Sequence, residues 1–124
     1  MYIPFNPNPI NKKTDDCVIR AISKVLDLPW EKVYMLLCLK GLEMYDWGNA
    51  NEVWGSLLRD NGFVRESIPN TCPDCYTVED FCKDNPSGTY VLGTSTHAVA
   101  VIDGNYYDTW QSGESVPMYV YRRA

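Results

Sequence analysis

The chain has 124 residues, 45% of them hydrophobic, which predicts one globular domain over residues 1–124 with a single core. Its net charge of −5 argues against a nucleic-acid or anionic-membrane partner, because either would favour a basic surface. The sequence leaves the oligomeric state open.

Residues 1–13 are predicted to form an extended arm, since three of the eight prolines fall there. The opening Met1–Phe5 lacks the basic and apolar regions of a signal peptide, and the longest apolar run, Met35–Leu39, is too short to cross a bilayer. We therefore expect an intracellular, soluble protein of the cytoplasm. Five cysteines without an export signal also make a disulfide framework unexpected.

Residues 14–61 are predicted to form a helical part. Thr14 suits the N-cap of a first helix, because its hydroxyl can accept a hydrogen bond from a free backbone N–H. Two more helices are predicted over about residues 29–44 and 51–60. The first helix has an apolar stripe with helical periodicity, formed by Val18, Ala21, Ile22, Val25 and Leu26.

Residues 63–124 are predicted to be mainly β-structure, with one short helix near residues 77–85. Thr77 and Asp80 have the spacing of a capping box at the start of that helix. Helices first and antiparallel strands second predict an α+β fold. The strand-like segments are rich in β-branched and aromatic residues and cover residues 63–68, 89–92, 96–102, 105–110 and 118–122.

A two-residue hairpin turn is predicted at residues 103–104, because Asp-Gly suits the positive φ angles of a type I′ turn. Asp108 then lies diagonally across from His97, about 7–8 Å away between backbones, a span that two polar side chains can bridge. Asp103 is the rival carboxylate but fits better as a turn residue. The predicted register places four residues on one face: His97, Val99, Asp108 and Trp110.

His97 is the only histidine, and Cys17 is the leading candidate for a nucleophile that it could activate. Cys17 falls in the first turn of the first helix, where the helix dipole and free backbone N–H groups favour a thiolate. Cys38 and Cys82 lie within helices and are predicted to fill the core. Two further cysteines, Cys72 and Cys75, have the spacing of half a zinc site or of a redox pair, although a plain loop with reduced thiols is the favoured interpretation.

The order of these residues resembles that of the papain-like cysteine peptidases. In that superfamily a cysteine begins the first core helix, a histidine follows on a later strand, and an Asp or Asn follows on the next strand. The run Asp108–Trp110 resembles the Asn-Ser-Trp of papain-type chains, with Asp in place of Asn. The segments Asp16–Ile22 and His97–Gly104 are similar to small bacterial and phage-encoded branches, including the bacteriocin-processing peptidases.

The resemblance implies a papain-like fold in which a helical part carrying Cys17 packs on an antiparallel sheet carrying His97 and Asp108. It implies cleavage of a peptide, isopeptide or other amide through a Cys17 thioester, with His97 as the base and Asp108 as its orienting group. Asn11, six residues before the cysteine, would help to build the oxyanion hole. Trp110 would screen the histidine–aspartate bond from water. The partner would be a peptide or protein substrate, and neither a cofactor nor a metal is implied.

Two other interpretations stay open. The first is a papain-like domain without catalysis that acts as a binding module, for example a phage protein that binds a host factor in the host cytoplasm. The second is a zinc or redox module that uses Cys72 and Cys75. The rate of alkylation of each cysteine against pH, with and without a zinc chelator, separates the three.

Overall fold

A computed structural model describes residues 1–124, which form four helices and six strands. The architecture is mixed α+β. No helix combines the length and the apolar character that crossing a membrane would require. In chain order the elements are β1 (Tyr2–Pro4), α1 (Cys17–Leu26), α2 (Trp30–Met44), α3 (Asn51–Asp60), β2 (Phe63–Ser67), α4 (Val78–Asp84), β3 (Thr89–Gly93), β4 (Ala98–Ile102), β5 (Asn105–Asp108) and β6 (Tyr119–Arg123).

The six strands form one open sheet in the order β1-β5-β4-β3-β6-β2. All neighbouring strands are antiparallel except β1 and β5, which run parallel. The predictions of an antiparallel sheet and of an arm without secondary structure are therefore wrong at Tyr2–Pro4, which pairs with residues 106–108. The prolines do not prevent this pairing, because an edge strand needs ladder hydrogen bonds on one side only.

The β4–β5 hairpin has the predicted two-residue turn. Asp103 and Gly104 both have positive φ, 50° and 79°, as a type I′ turn requires. Ile102 pairs with Asn105, which is the predicted register. The carboxylate of Asp103 accepts a hydrogen bond at 3.0 Å from the backbone of the loop before β3, so this rival carboxylate has a role in the turn.

The sheet is covered by helices on both faces. Along β4, Ala98 and Ala100 belong to a core cluster with α1, α2 and α3, whereas Val99 and Val101 belong to a second cluster with α4. The predicted stripe of α1 faces the first cluster: Val18, Ala21, Ile22 and Val25 are buried and Leu26 is half-buried. The alternation of β4 residues therefore holds one helical layer on each side of the sheet.

The start of α1 differs from the prediction. The helix begins at Cys17 rather than near Thr14, and Asp16 occupies the N-cap position without making a side-chain capping bond. The reason is that the Asp16 carboxylate is engaged elsewhere, by two side-chain donors within the fold. Cys17 is thus the first residue of α1, where its backbone N–H has no partner within the helix.

Two predictions about helical cysteines had different outcomes. Cys82 is buried in α4, as predicted, and the capping box of Thr77 and Asp80 is present at the start of that helix. Cys38 is exposed, so its prediction as core filler is wrong. The apolar residues of α2 extend around the helix, and the sequence therefore does not show which side is buried. The residues of α2 that are buried are Val33, Leu37 and Gly41.

Cys72 and Cys75 form a disulfide in the turn before α4, so the prediction of reduced thiols is wrong. The two cysteines are three positions apart, so a single turn brings them together. No group of three or more His, Cys, Asp or Glu side chains is placed to hold a metal ion. The redox interpretation of this pair stays a prediction, and the free thiols are Cys17, Cys38 and Cys82.

Candidate active site

The structure brings Cys17, His97 and Asp108 together at one end of the sheet. β4 and β5 are antiparallel, so His97, just before β4, and Asp108, the last residue of β5, lie at the same end. α1 packs against both strands and contributes Cys17 as its first residue. Cys17 and His97 line the same two cavities, which have volumes of about 400 and 210 Å³.

His97 and Asp108 form a short hydrogen bond, with 2.6 Å between Nε2 of the imidazole and Oδ2 of the carboxylate. Burial lowers the pKa of His97, but hydrogen bonds and charge interactions with Asp108 and Cys17 outweigh it and raise that pKa to about 9. The imidazole is therefore protonated at neutral pH when both partners are in place. Because Nε2 faces the carboxylate, Nδ1 is the ring nitrogen left for the thiol.

The Cys17 thiol has the opposite shift. Burial raises its pKa, but a hydrogen bond with His97, a second with the backbone of Ala98, and the positive charges of His97 and Arg20 outweigh burial and lower the pKa below its ordinary value. The thiolate is the nucleophilic form of cysteine. A thiol with a lowered pKa beside a histidine with a raised one is the arrangement expected of a thiolate–imidazolium pair.

The Asp108 carboxylate is fully buried and fully hydrogen-bonded. Oδ1 accepts from Arg20 Nη2 at 2.9 Å and from the backbone N–H of Thr109 at 2.8 Å. Oδ2 accepts from Ser112 Oγ at 2.5 Å and pairs with His97. Burial raises the pKa of Asp108, but the bonds with His97 and Ser112 outweigh it, so the pKa is lowered. An ionised carboxylate held at both oxygens cannot rotate, and it therefore fixes the orientation of the imidazole.

Arg20 connects this carboxylate to α1. It is buried, and besides Asp108 it donates to Oδ1 of Asp16 at 2.6 Å. The other oxygen of Asp16 accepts from Nε1 of Trp30 at 2.9 Å. Asp16, the acid next to the nucleophile, is thus paired with the buried Arg20 and the half-buried Trp30. Sequence reasoning missed Arg20 and Ser112; the one signal for Arg20 was a charged residue next to the apolar stripe of α1.

Of the two remaining predicted site residues, Trp110 lies at one of the two cavities and Asn11 lies at neither. Trp110 lines the larger one, and its ring centroid is 5.2 Å from that of His97. Asn11 lines neither cavity: it is exposed, has a φ of 55°, and its side-chain oxygen accepts a hydrogen bond from Asn6 at 3.2 Å. A different asparagine, Asn49 in the loop between α2 and α3, lines both cavities with Cys17. No spacing or motif in the sequence pointed to Asn49.

Comparison of the chain with protein-family models, with curated proteins and with solved structures found no match. The functional interpretation therefore depends on the side chains themselves. These are a thiol at a helix start, an imidazole that lines the same cavity, and a buried carboxylate that holds the imidazole.

Proposed function

We propose that this protein is a papain-like cysteine hydrolase that cleaves a peptide, isopeptide or other amide bond. The observation that carries the proposal is the placement of Cys17 and His97 at the wall of the same open cavity, with the imidazole held at 2.6 Å by the buried Asp108. A module that only binds a partner has no need for a thiol with a lowered pKa. Perturbed ionisable groups that face a cavity are typical of catalytic sites.

In the proposed reaction the Cys17 thiolate attacks the carbonyl carbon of the substrate, and the carbonyl electrons move to its oxygen. As the tetrahedral intermediate collapses, the C–N bond breaks and protonated His97 gives its proton to the leaving amine. The product is a thioester on Cys17. Water then attacks this thioester while His97 accepts its proton, which releases the acid and regenerates the pair. Asp108 stays ionised throughout and holds the imidazole.

Two donors can stabilise the oxyanion in this proposal. The backbone N–H of Cys17 is free because it begins α1. Asn49 lines the same cavities, and in this proposal its side-chain amide takes the role that the papain-like resemblance implies for Asn11. Loss of one such donor lowers kcat by about 10²–10³ in enzymes that use them.

Alkylation by iodoacetamide against pH tests the activated thiol, because Cys38 in the same molecule is an exposed reference cysteine. We expect Cys17 to react faster than Cys38 near neutral pH, with an apparent pKa below that of an ordinary thiol. His97→Ala should remove this advantage, since it removes the partner of the thiolate. Equal rates at Cys17 and Cys38 in the unmodified chain would contradict the proposal. Release of a fluorescent amine from peptide amides, lost in Cys17→Ser, measures the hydrolysis itself.

A further inference from the structure

A groove of about 360 Å³ lies beside the cavity of Cys17, between the start of α1, one side of α2 and the loop before α3. Its walls are mainly apolar and include Tyr34, Leu37 and Trp47. Asp15 and Asn49 line both this groove and the larger Cys17 cavity, so the two spaces are adjacent. The volume is at the lower end of the range of about 300–1,000 Å³ typical of small-molecule sites, which suits one large side chain.

The side chains at this groove leave apolar surface that the fold itself does not cover. Trp47 is 83% exposed and Tyr34 is 50% exposed. Both lie next to a groove rather than singly on a convex surface. Contiguous exposed apolar patches are uncommon on monomeric proteins and mark sites of binding. The patch lies beside the cavity of the nucleophile, and this position indicates what binds there.

The charge of Asp15, between the groove and the Cys17 cavity, restricts which peptides can bind there. Asp15 is exposed and makes no ion pair, and it lies where the groove meets the Cys17 cavity. The basic Lys13 lines the Cys17 cavity but not the groove, so Asp15 is the unpaired charge that faces the groove. A second carboxylate brought to this point by a substrate would be repelled, while an ammonium or guanidinium group would be attracted. The net charge of −5 acts in the same direction.

Resting on the proposed hydrolase function, we infer that this groove selects the substrate: it holds a bulky apolar side chain of a peptide whose neighbouring amide bond Cys17 attacks. The peptide is neutral or basic beside that side chain, because Asp15 lies there. The occupant is thus an extended peptide segment of a substrate rather than a second copy of this chain.

Peptidyl acyloxymethyl ketones are suitable probes, because they alkylate a cysteine only after the peptide is seated beside it. We expect a reagent with Leu at the groove position to modify Cys17 at least about tenfold faster than the same reagent with Ser, the size of effect that apolar pockets give. A Lys neighbour should react faster than a Glu neighbour. Trp47→Ala and Tyr34→Ser should each reduce the Leu-over-Ser ratio. Leu39→Ala is the matched control, since Leu39 is a 60% exposed residue of α2 outside the groove.

Iodoacetamide, which is too small to need the groove, distinguishes the two levels of the proposal. If Cys17 is not activated toward iodoacetamide, the hydrolase proposal is wrong and the inference about its substrate falls with it. If Cys17 is activated but the Leu and Ser reagents react equally, only the groove inference is overturned. Sedimentation of the full chain tests whether a second copy of the chain occupies the groove instead. The inference is overturned if the chain is a dimer, if Trp47→Ala converts it to a monomer, and if the preference for the Leu reagent does not change.

Discussion

Replacing Arg20 with methionine removes a buried guanidinium but keeps a side chain of similar length. The guanidinium bonds Asp16 at 2.6 Å and Asp108 at 2.9 Å, and these two acidic side chains are only 3% and 0% exposed. Removing one partner of a buried pair costs about 3–5 kcal/mol, because the other charge is left desolvated. Asp16 keeps its bond from Trp30 and Asp108 keeps three other partners. We therefore expect the free energy of unfolding to fall by about 3 kcal/mol, the lower end of that range.

Urea denaturation followed by tryptophan fluorescence measures this change. The matched control is Arg122→Met, because Arg122 pairs with Glu66 on the surface, where the side chains are 46% and 49% exposed. Exposed pairs contribute about 0–1 kcal/mol. Adding Asp16→Asn to Arg20→Met should recover part of the loss, since it removes one of the stranded charges. The reasoning is refuted if Arg20→Met destabilises the protein no more than Arg122→Met does.

Ser112→Ala removes the 2.5 Å bond to Asp108 and should lower the free energy of unfolding in urea by about 1.5–3 kcal/mol, the range for bonds to charged groups. Because the fold lowers the pKa of Asp108, the stability that this carboxylate provides is present above the ordinary carboxyl pKa and is lost on acidification. The free energy of unfolding of Ser112→Ala should therefore fall less on acidification than that of the unmodified chain. Ser95 is exposed, so Ser95→Ala is the control. If Ser112→Ala lowers the free energy of unfolding no more than Ser95→Ala does, the bond to Asp108 contributes neither the stability nor the acid dependence expected of it. In Cys17→Ala, His97 keeps its 2.6 Å bond to Asp108, which favours the protonated imidazole. The stability that this bond provides is therefore fully present below about pH 6.5 and should fall as pH rises from there. Denaturation midpoints across this pH range should show no such fall when His97→Ala is added, and parallel profiles for the two variants would show that the pair stores no stability.

The hairpin turn is the sequence feature that predicted most of the site. The two-residue turn at Asp103 and Gly104 sets the register of β4 and β5. Because side chains alternate between the two faces of a sheet, this register predicts that His97 and Asp108 share a face and can pair. The alternation of side chains did not predict on which side of the sheet the Cys17 thiol lies. Val99 packs with α4, and alternation alone would put Asp108 on that same side. Both site residues are at strand ends, where their side chains reach around the end of the sheet to α1.

The features that sequence reasoning missed depend on packing between distant segments. Arg20 is 88 residues from Asp108 along the chain, and no local pattern assigns it that partner. Asn11 is close to Cys17 in sequence, but its side chain accepts a hydrogen bond from Asn6 within the arm, whereas Asn49 comes near through the packing of α2 and α3. Cys38 lies in a helix that is apolar on most sides, so periodicity does not show which side is buried.

The bonds of Asp108 bear on how a chain like this changes over evolutionary time. Its carboxylate is bound by Arg20, Thr109 and Ser112 independently of the thiol, and Cys17 is only half-buried. If selection for acyl transfer ceased, a substitution at Cys17 would leave these bonds intact, while one at Asp108 would leave Arg20 with Asp16 as its one acidic partner. The acid would therefore outlast the nucleophile among descendants. An intact Asp–Arg pair in a relative would indicate only that the fold is retained. The presence of the cysteine would indicate whether the catalytic chemistry is retained as well.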